Sequence, residues 1–122
     1  MQHVQDKFDV SFYKENGESR IHCKNTISSY LYIWRTDDMI AEFLDDIELC
    51  LSNRYEEIED PSWDSDLLNL RGRLEPDQIT ILYAEQIDGR SVIIWGKNTL
   101  ATIPLIDFKQ LLIAWRNFRN SK

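Results

Sequence analysis

Short segments of alternating apolar and polar residues open the chain. Residues 8–14 follow the two-residue period of a half-buried strand, and the Asn16-Gly17 pair after them is the strongest short hairpin signal. Residues 19–24 therefore form the predicted return strand. Residues 29–34 would carry large apolar side chains on both faces of an extended segment, which predicts a strand in the middle of a covered sheet.

Two longer segments show the period of an amphipathic helix. In residues 37–52 apolar side chains recur at i, i+3, i+4 and i+7, and Thr36 or Asp37 can cap the first turn. The same spacing returns in residues 105–119, after Pro104. The side chains expected to be buried between these helices and a sheet are Phe43, Ile47, Phe108, Leu112 and Trp115.

The region between the helices is less regular. Pro61 interrupts an acidic stretch, and residues 67–74 fit either a short helix or a strand. A strand pattern returns in residues 78–86, and Asp88-Gly89 predicts a second hairpin. Its return strand is residues 91–95, and residues 100–103 add a short strand.

Strands grouped in hairpins, with helices that do not alternate one-for-one with them, are typical of an α+β fold. We expect a mainly antiparallel sheet of about five to six strands with two principal helices packed on it. A length of 122 residues and a hydrophobic content of 43% suit one core, so residues 1–122 are predicted to be a single domain.

Charge is segregated along the chain. The protein has 14 basic and 21 acidic residues, a net charge of −7. Twelve acids and one base, Arg54, lie in residues 37–66, so this acidic block carries 1 − 12 = −11. The other residues carry 13 − 9 = +4. Such a block repels nucleic acid and attracts a basic protein surface.

Motifs for chemistry are scarce. The sequence has no phosphate-binding loop, no nucleophile elbow and no metal-ligand spacing, so neither an enzyme nor a metal or cofactor site is predicted. His22 is expected to be an ordinary solvated or edge histidine. Cys23 and Cys50 are expected to be buried free thiols in a reducing cytoplasm. No apolar segment is long enough to span a membrane or to act as a signal peptide.

The acidic block has two interpretations. It is either a solvated helix face or a surface for a basic protein, and Tyr55 and Trp63 within it suggest aromatic anchors ringed by charge. Trp63 has a second interpretation as a lid on the sheet. The residues predicted to bind a partner are Asp38, Glu42, Asp45, Asp46, Glu48, Tyr55, Glu56, Glu57, Asp60, Trp63, Asp64 and Asp66.

The overall pattern resembles the small acidic immunity proteins that protect bacteria from polymorphic or contact-delivered toxins. The resemblance rests on chain length, on the acidic helix of residues 37–48, and on residues 103–115. In that last segment a short strand runs into Pro104, Asp107 and Phe108 and then an aromatic-rich helix. The resemblance implies a cytoplasmic inhibitor that binds a basic toxin domain, often a nuclease, and blocks its active site or substrate groove.

Three hypotheses follow. The leading one is an immunity protein that neutralises a basic partner, and a neighbouring toxin gene would separate it from the other two. The second is a structural or adaptor domain whose acidic face only confers solubility. The third is an enzyme with an unrecognised carboxylate site. The sequence leaves the oligomeric state open.

Overall fold

A computed structural model describes residues 3–65, 69–92 and 98–121. It shows an α+β fold. The elements in chain order are α1 (Val4–Lys7), β1 (Phe12–Glu15), β2 (Glu18–Ile21), α2 (Thr26–Leu31), α3 (Asp37–Leu51), a 3₁₀ turn (Tyr55–Glu57), β3 (Leu70–Leu74), β4 (Gln78–Tyr83), β5 (Glu85–Ile87), β6 (Arg90–Val92), β7 (Thr99–Pro104) and α4 (Leu105–Asn120).

In residues 3–65, 69–92 and 98–121 the strands form three antiparallel units instead of the single larger sheet that the sequence predicts. A three-stranded sheet has the order β3-β4-β7, and β1-β2 and β5-β6 are two-stranded hairpins. Both predicted hairpin turns are confirmed. Asn16 and Gly17 have φ of 53° and 82°, and Asp88 and Gly89 have 52° and 75°. These positive values are what a two-residue turn needs.

The prediction of a strand at residues 29–34 is wrong. Its first residues belong to α2, because Asn25 begins a helix there: its side chain accepts a hydrogen bond from the Ser28 amide, and the Ser28 hydroxyl accepts one from the Asn25 amide. This reciprocal cap satisfies two amides that would otherwise lack partners. Tyr30 in the helix and Trp34, three residues after its end, are both buried.

The first predicted strand is also shorter than expected. Residues 4–7 are helical, and β1 begins only at Phe12. Asp9 has a φ of 53°, which turns the chain between the two elements. The Asn25 side-chain amide donates to the carbonyls of Phe8 and Asp9 at 3.2 and 3.1 Å and so fixes this turn. Of the predicted strand at residues 91–95, positions 93–95 lie outside the described residues.

The core lies between the three-stranded sheet and helices α2, α3 and α4. The five side chains predicted to be buried by the two principal helices are all fully buried. The Trp115 indole N–H donates to the Trp34 carbonyl at 2.8 Å, which ties α4 to the end of α2. The outer faces of α3 and α4 are thus held on one framework.

The two cysteines differ. Cys50 is buried on α3, as predicted, and burial raises the pKa of its thiol to about 11. Cys23 was expected in a buried strand, but β2 ends at Ile21 and Cys23 is exposed. Among the described residues, no helix is both long and apolar enough to cross a bilayer.

Candidate protein-binding surface

The outer face of α3 carries a line of acids. Asp38, Glu42, Asp45 and Glu48 are all exposed and recur at helical spacing, opposite the buried Ile40 and Ile47. We call these four acids the acidic stripe. At 1.5 Å rise per residue the stripe is about 15 Å long. Because its inner face is packed, α3 presents these carboxylates from a fixed position.

Bases from distant parts of the sequence pair with one acid near each end of α3. Arg119 Nη1 lies 2.6 Å from Asp37 Oδ1, and Lys109 pairs with Glu48. Both bases lie on α4. Within the described part of the chain, Glu42 and Asp45 have no cation in ion-pair distance. The middle of the stripe therefore keeps its charge.

Spacing within the stripe opposes helix stability. Glu42 lies four residues after Asp38 and three before Asp45, so like charges are neighbours on the helix surface. Each such pair destabilises a helix by about 0.2–0.5 kcal/mol. Glu48 also lies near the C-terminal end, where the helix dipole disfavours negative charge. Apart from Asp38, which lies in the first turn, the stability of α3 does not explain why acids occupy these positions.

Trp63 closes the core at one edge of this surface. Its ring stacks on Phe43, with centroids 4.2 Å apart and planes inclined by 8°. It also makes an edge contact with Trp34, in which the ring centroids are 5.5 Å apart. The indole N–H donates to Asp46 Oδ2 at 3.1 Å. Trp63 is half-buried, so its packing agrees with the interpretation as a lid.

Asp46 connects that lid to the stripe. Burial raises the pKa of Asp46, the neighbouring Asp45 charge raises it further, and the hydrogen bond from Trp63 opposes both effects. The carboxylate is thus oriented towards the core edge and serves as an acceptor there. It differs in this from the outward-facing Glu42 and Asp45.

Tyr55 is likewise engaged with the fold. Its hydroxyl donates to the Leu74 carbonyl at 2.8 Å, and burial raises the pKa of the phenol. This bond ties the 3₁₀ turn to β3. Neither predicted aromatic anchor is therefore a free side chain standing on the surface.

The remaining predicted acids follow α3 in the chain and are of three kinds. Glu56 is exposed, whereas Glu57 pairs with Arg54, which lowers the pKa of Glu57. Asp60 Oδ1 accepts from the Ser62 amide at 3.0 Å, and this bond lowers the pKa of Asp60.

Asp64 has a role inside the fold, and Asp66 lies outside the described residues. Asp64 Oδ1 lies 2.5 Å from Arg73 Nη1 and accepts from the Gly72 amide at 3.3 Å. It therefore helps to hold residues 62–65 along the edge of β3. Glu59, which was not predicted for the surface, is exposed beside Asp60.

His22 and the potential metal ligands do not form a second site among the described residues. His22 is exposed and stacks on Tyr13 with ring centroids 4.2 Å apart, so its ring is a packing partner at the hairpin. No group of three or more His, Cys, Asp or Glu side chains is placed to hold a metal ion within residues 3–65, 69–92 and 98–121.

Comparison of the chain with protein-family models, curated proteins and solved structures finds no match. The site must accordingly be judged on its own geometry. Sequence reasoning located the acids but missed their partners Arg73, Lys109 and Arg119. No local signal identifies these pairs, because each joins residues that tertiary folding brings together.

Proposed function

We propose that this chain is an immunity protein, an inhibitor that binds and neutralises a basic toxin domain in the cytoplasm through its acidic surface. The observation that carries the proposal is the uncompensated centre of the acidic stripe, Glu42 and Asp45. A nuclease is the kind of toxin that the resemblance implies, because carboxylates can occupy a groove built for phosphates.

Electrostatics supports this role. The α3 acids are exposed, and Glu42 and Asp45 lack ion-pair partners within the described residues, so their field extends into solvent. Complementary charge raises the rate of encounter between proteins by orders of magnitude at low salt. A fast encounter suits an inhibitor that must act before its target does damage.

Rigidity supports it as well. The inner face of α3 is fully buried at Ile40, Phe43 and Ile47, and Trp63 covers Phe43 at the edge. A surface that is already ordered loses less conformational entropy when it binds. The acids that would meet a partner are therefore preorganised.

One observation favours the second candidate, a structural or adaptor domain with an acidic face that only confers solubility. Tyr55 and Trp63 are used by the fold, so the surface lacks the freely standing aromatic anchor that hot spots commonly have. The two candidates differ in whether the position of the charge matters, or only its amount.

The test compares two variants with the same change in net charge. Glu42→Lys/Asp45→Lys reverses the centre of the stripe, and Asp6→Lys/Asp77→Lys reverses two exposed acids elsewhere. Each is used as bait in the source cell beside the wild-type protein. The partner recovered with wild type is then purified and co-expressed with each form.

An immunity protein predicts that the wild-type and control forms retain the partner and restore the growth of cells that express it. The stripe variant should lose both properties. Equal retention by all three forms, or a partner with no toxicity, would contradict the proposal and leave the adaptor role.

A further inference from the structure

A cleft opens on the molecule at the C-terminal end of α4, away from the centre of the acidic stripe. It lies between the β1-β2 hairpin, the residues after α2 and the last turns of α4, and its volume is about 390 Å³. That volume falls in the range of small-molecule sites. Its lining includes Glu18, Ser19, Tyr32, Arg35 and Arg119, over Trp115.

Arg35 is held in place with its binding groups free. Its guanidinium carbon lies 4.3 Å from the centroid of the Tyr32 ring, and its Nε donates to the Tyr32 carbonyl at 3.0 Å. The two terminal nitrogens have no hydrogen bond or ion pair within the described residues. A guanidinium fixed in this way presents its fork to a carboxylate or phosphate.

Two further cations lie beside Arg35. Arg119 is oriented by Asp37 and is only 23% exposed. Lys14 lines an adjoining cavity of about 410 Å³ together with Arg119. The Lys14 ammonium donates to Ser19 Oγ at 2.7 Å and to the Ser121 carbonyl at 3.0 Å, and neither acceptor carries a charge.

The acids of this region pair with Arg20 and Arg119 and leave Arg35 and Lys14 without a carboxylate partner in the described part of the chain. Glu18 pairs with Arg20 at 2.9 Å, Glu15 lies 3.7 Å from Arg20, and Asp37 pairs with Arg119. The charged residues that line the two cavities are Glu18, Arg35, Arg119 and Lys14, and with the neighbouring Glu15, Arg20 and Asp37 the region has three acids and four bases, a net of 4 − 3 = +1. Of these four bases, Arg35 and Lys14 have no carboxylate partner among the described residues.

The apolar part of the cleft has a simpler role. Trp115 is fully buried, and its indole N–H is used by the Trp34 carbonyl, so it forms a floor and offers no polar contact. Tyr32 is half-buried and supports Arg35 from one side. The volume exceeds that of a bare oxyanion, so a ligand that fills it has an organic body or belongs to a larger chain.

We propose that this cleft binds an oxyanion group, a phosphate or carboxylate, with Arg35 as its principal ligand and Arg119 and Lys14 supplying the surrounding positive potential. The group belongs either to a small molecule or to an acidic side chain of a partner protein. The site is independent of the acidic stripe in residues and in the sign of its charge.

The test is an NMR titration of the ¹⁵N-labelled full chain at constant ionic strength, with inorganic phosphate in one series and a tetraglutamate peptide in the other. Saturable shifts are expected at the Arg35 Nε–H and at the amide of Ser19. Stronger binding of phosphate indicates a small-molecule ligand, and stronger binding of the peptide indicates a partner side chain.

Two variants remove one positive charge each. Arg35→Gln should weaken binding of the preferred probe at least tenfold, whereas Arg90→Gln, an exposed arginine on β6, should change it less than twofold. Arg35→Lys, which keeps the charge and loses the fork, should fall between them. Shifts that do not saturate with either probe, or equal weakening by Arg35→Gln and Arg90→Gln, would overturn the proposal.

Discussion

The acidic stripe on α3 and the cleft beside Arg35 both carry charge without a partner in the described part of the chain, yet they differ in shape. The stripe is convex, because it follows the outer face of a helix, whereas the cleft is concave. A convex charged face attracts and steers a large partner, while a concave one binds a single charged group. The Asp37–Arg119 ion pair stands at their border.

Gly72 lies against the hydrogen bond that the Tyr30 hydroxyl donates to the Trp63 carbonyl at 2.6 Å, so its replacement should have the largest effect. A Cβ there would meet Tyr30 Oη at 1.8 Å and the Trp63 carbonyl at 2.8 Å. Gly72→Ala should therefore lower the free energy of unfolding by about 3 kcal/mol or more, from overpacking and loss of the Tyr30–Trp63 hydrogen bond. Urea unfolding measures this change.

The matched variant for Gly72→Ala is Tyr30→Phe/Gly72→Ala. Removing the hydroxyl relieves the closest contact, so the double variant should be more stable than Gly72→Ala alone. If it is no more stable, the contact with Tyr30 is not the source of the destabilisation.

Trp63 joins the acidic surface to the core. Trp63→Ala should lower the free energy of unfolding by about 2–4 kcal/mol, below the range for fully buried tryptophans because Trp63 is half-buried. Trp63→Phe keeps the stacking on Phe43 and loses only the bond to Asp46, so it should cost about 1 kcal/mol. Denaturant unfolding of both variants separates packing from hydrogen bonding, and equal losses would mean that the stacking contributes little.

The border pair offers a variant with opposite effects on the two regions. Arg119→Gln removes a cation from the cleft and leaves Asp37 uncompensated, so phosphate binding should weaken several-fold while association of a basic partner speeds up. Asp37→Asn should do the reverse. Stability should change by less than about 1 kcal/mol, because Asp37 is largely exposed. Changes of the same sign in both assays would show that the two regions are not separate.

Asp46 gives the smallest effect, visible as a pH dependence. Because burial raises its pKa, the folded state holds this proton more firmly than the unfolded chain, and the resulting stability is present at acid pH and lost as pH rises through the folded pKa. Asp46→Asn lacks this loss, so it should gain stability relative to wild type between about pH 3.5 and pH 7, by no more than about 0.5 kcal/mol. A difference between the two proteins that stays constant with pH would contradict the assignment.

Short-range sequence patterns predicted the elements whose formation depends on neighbouring residues. The helix at Asp37–Leu51 follows its apolar period and its Thr36 cap, and both two-residue hairpin turns follow from Asn-Gly and Asp-Gly. The strand prediction for residues 29–34 was wrong because the pattern of an aromatic-rich segment fits a covered strand as well as a buried helix. The side chain of Asn25, which caps the helix, is the local feature that decides between the two.

Tertiary contacts decided what sequence patterns could not. The acidic block has one base of its own, yet Lys109 and Arg119 reach it from α4 and pair with Glu48 and Asp37. The polar residues beside Trp63 in the sequence suggested an exposed anchor. In the structure its ring stacks on Phe43 instead. The cleft at Arg35 is formed by three segments that are distant in the sequence, so no local pattern predicts it.

The central claim is that the position of the stripe charges, and not their sum, governs partner binding. The most direct measurement is the association rate of the purified partner at low and physiological salt for wild type, Glu42→Lys/Asp45→Lys and Asp6→Lys/Asp77→Lys. The account predicts that the stripe variant associates at least tenfold more slowly at low salt and with a weaker salt dependence, while the control changes less than threefold. Equal rates for the two variants at both salt concentrations would contradict it.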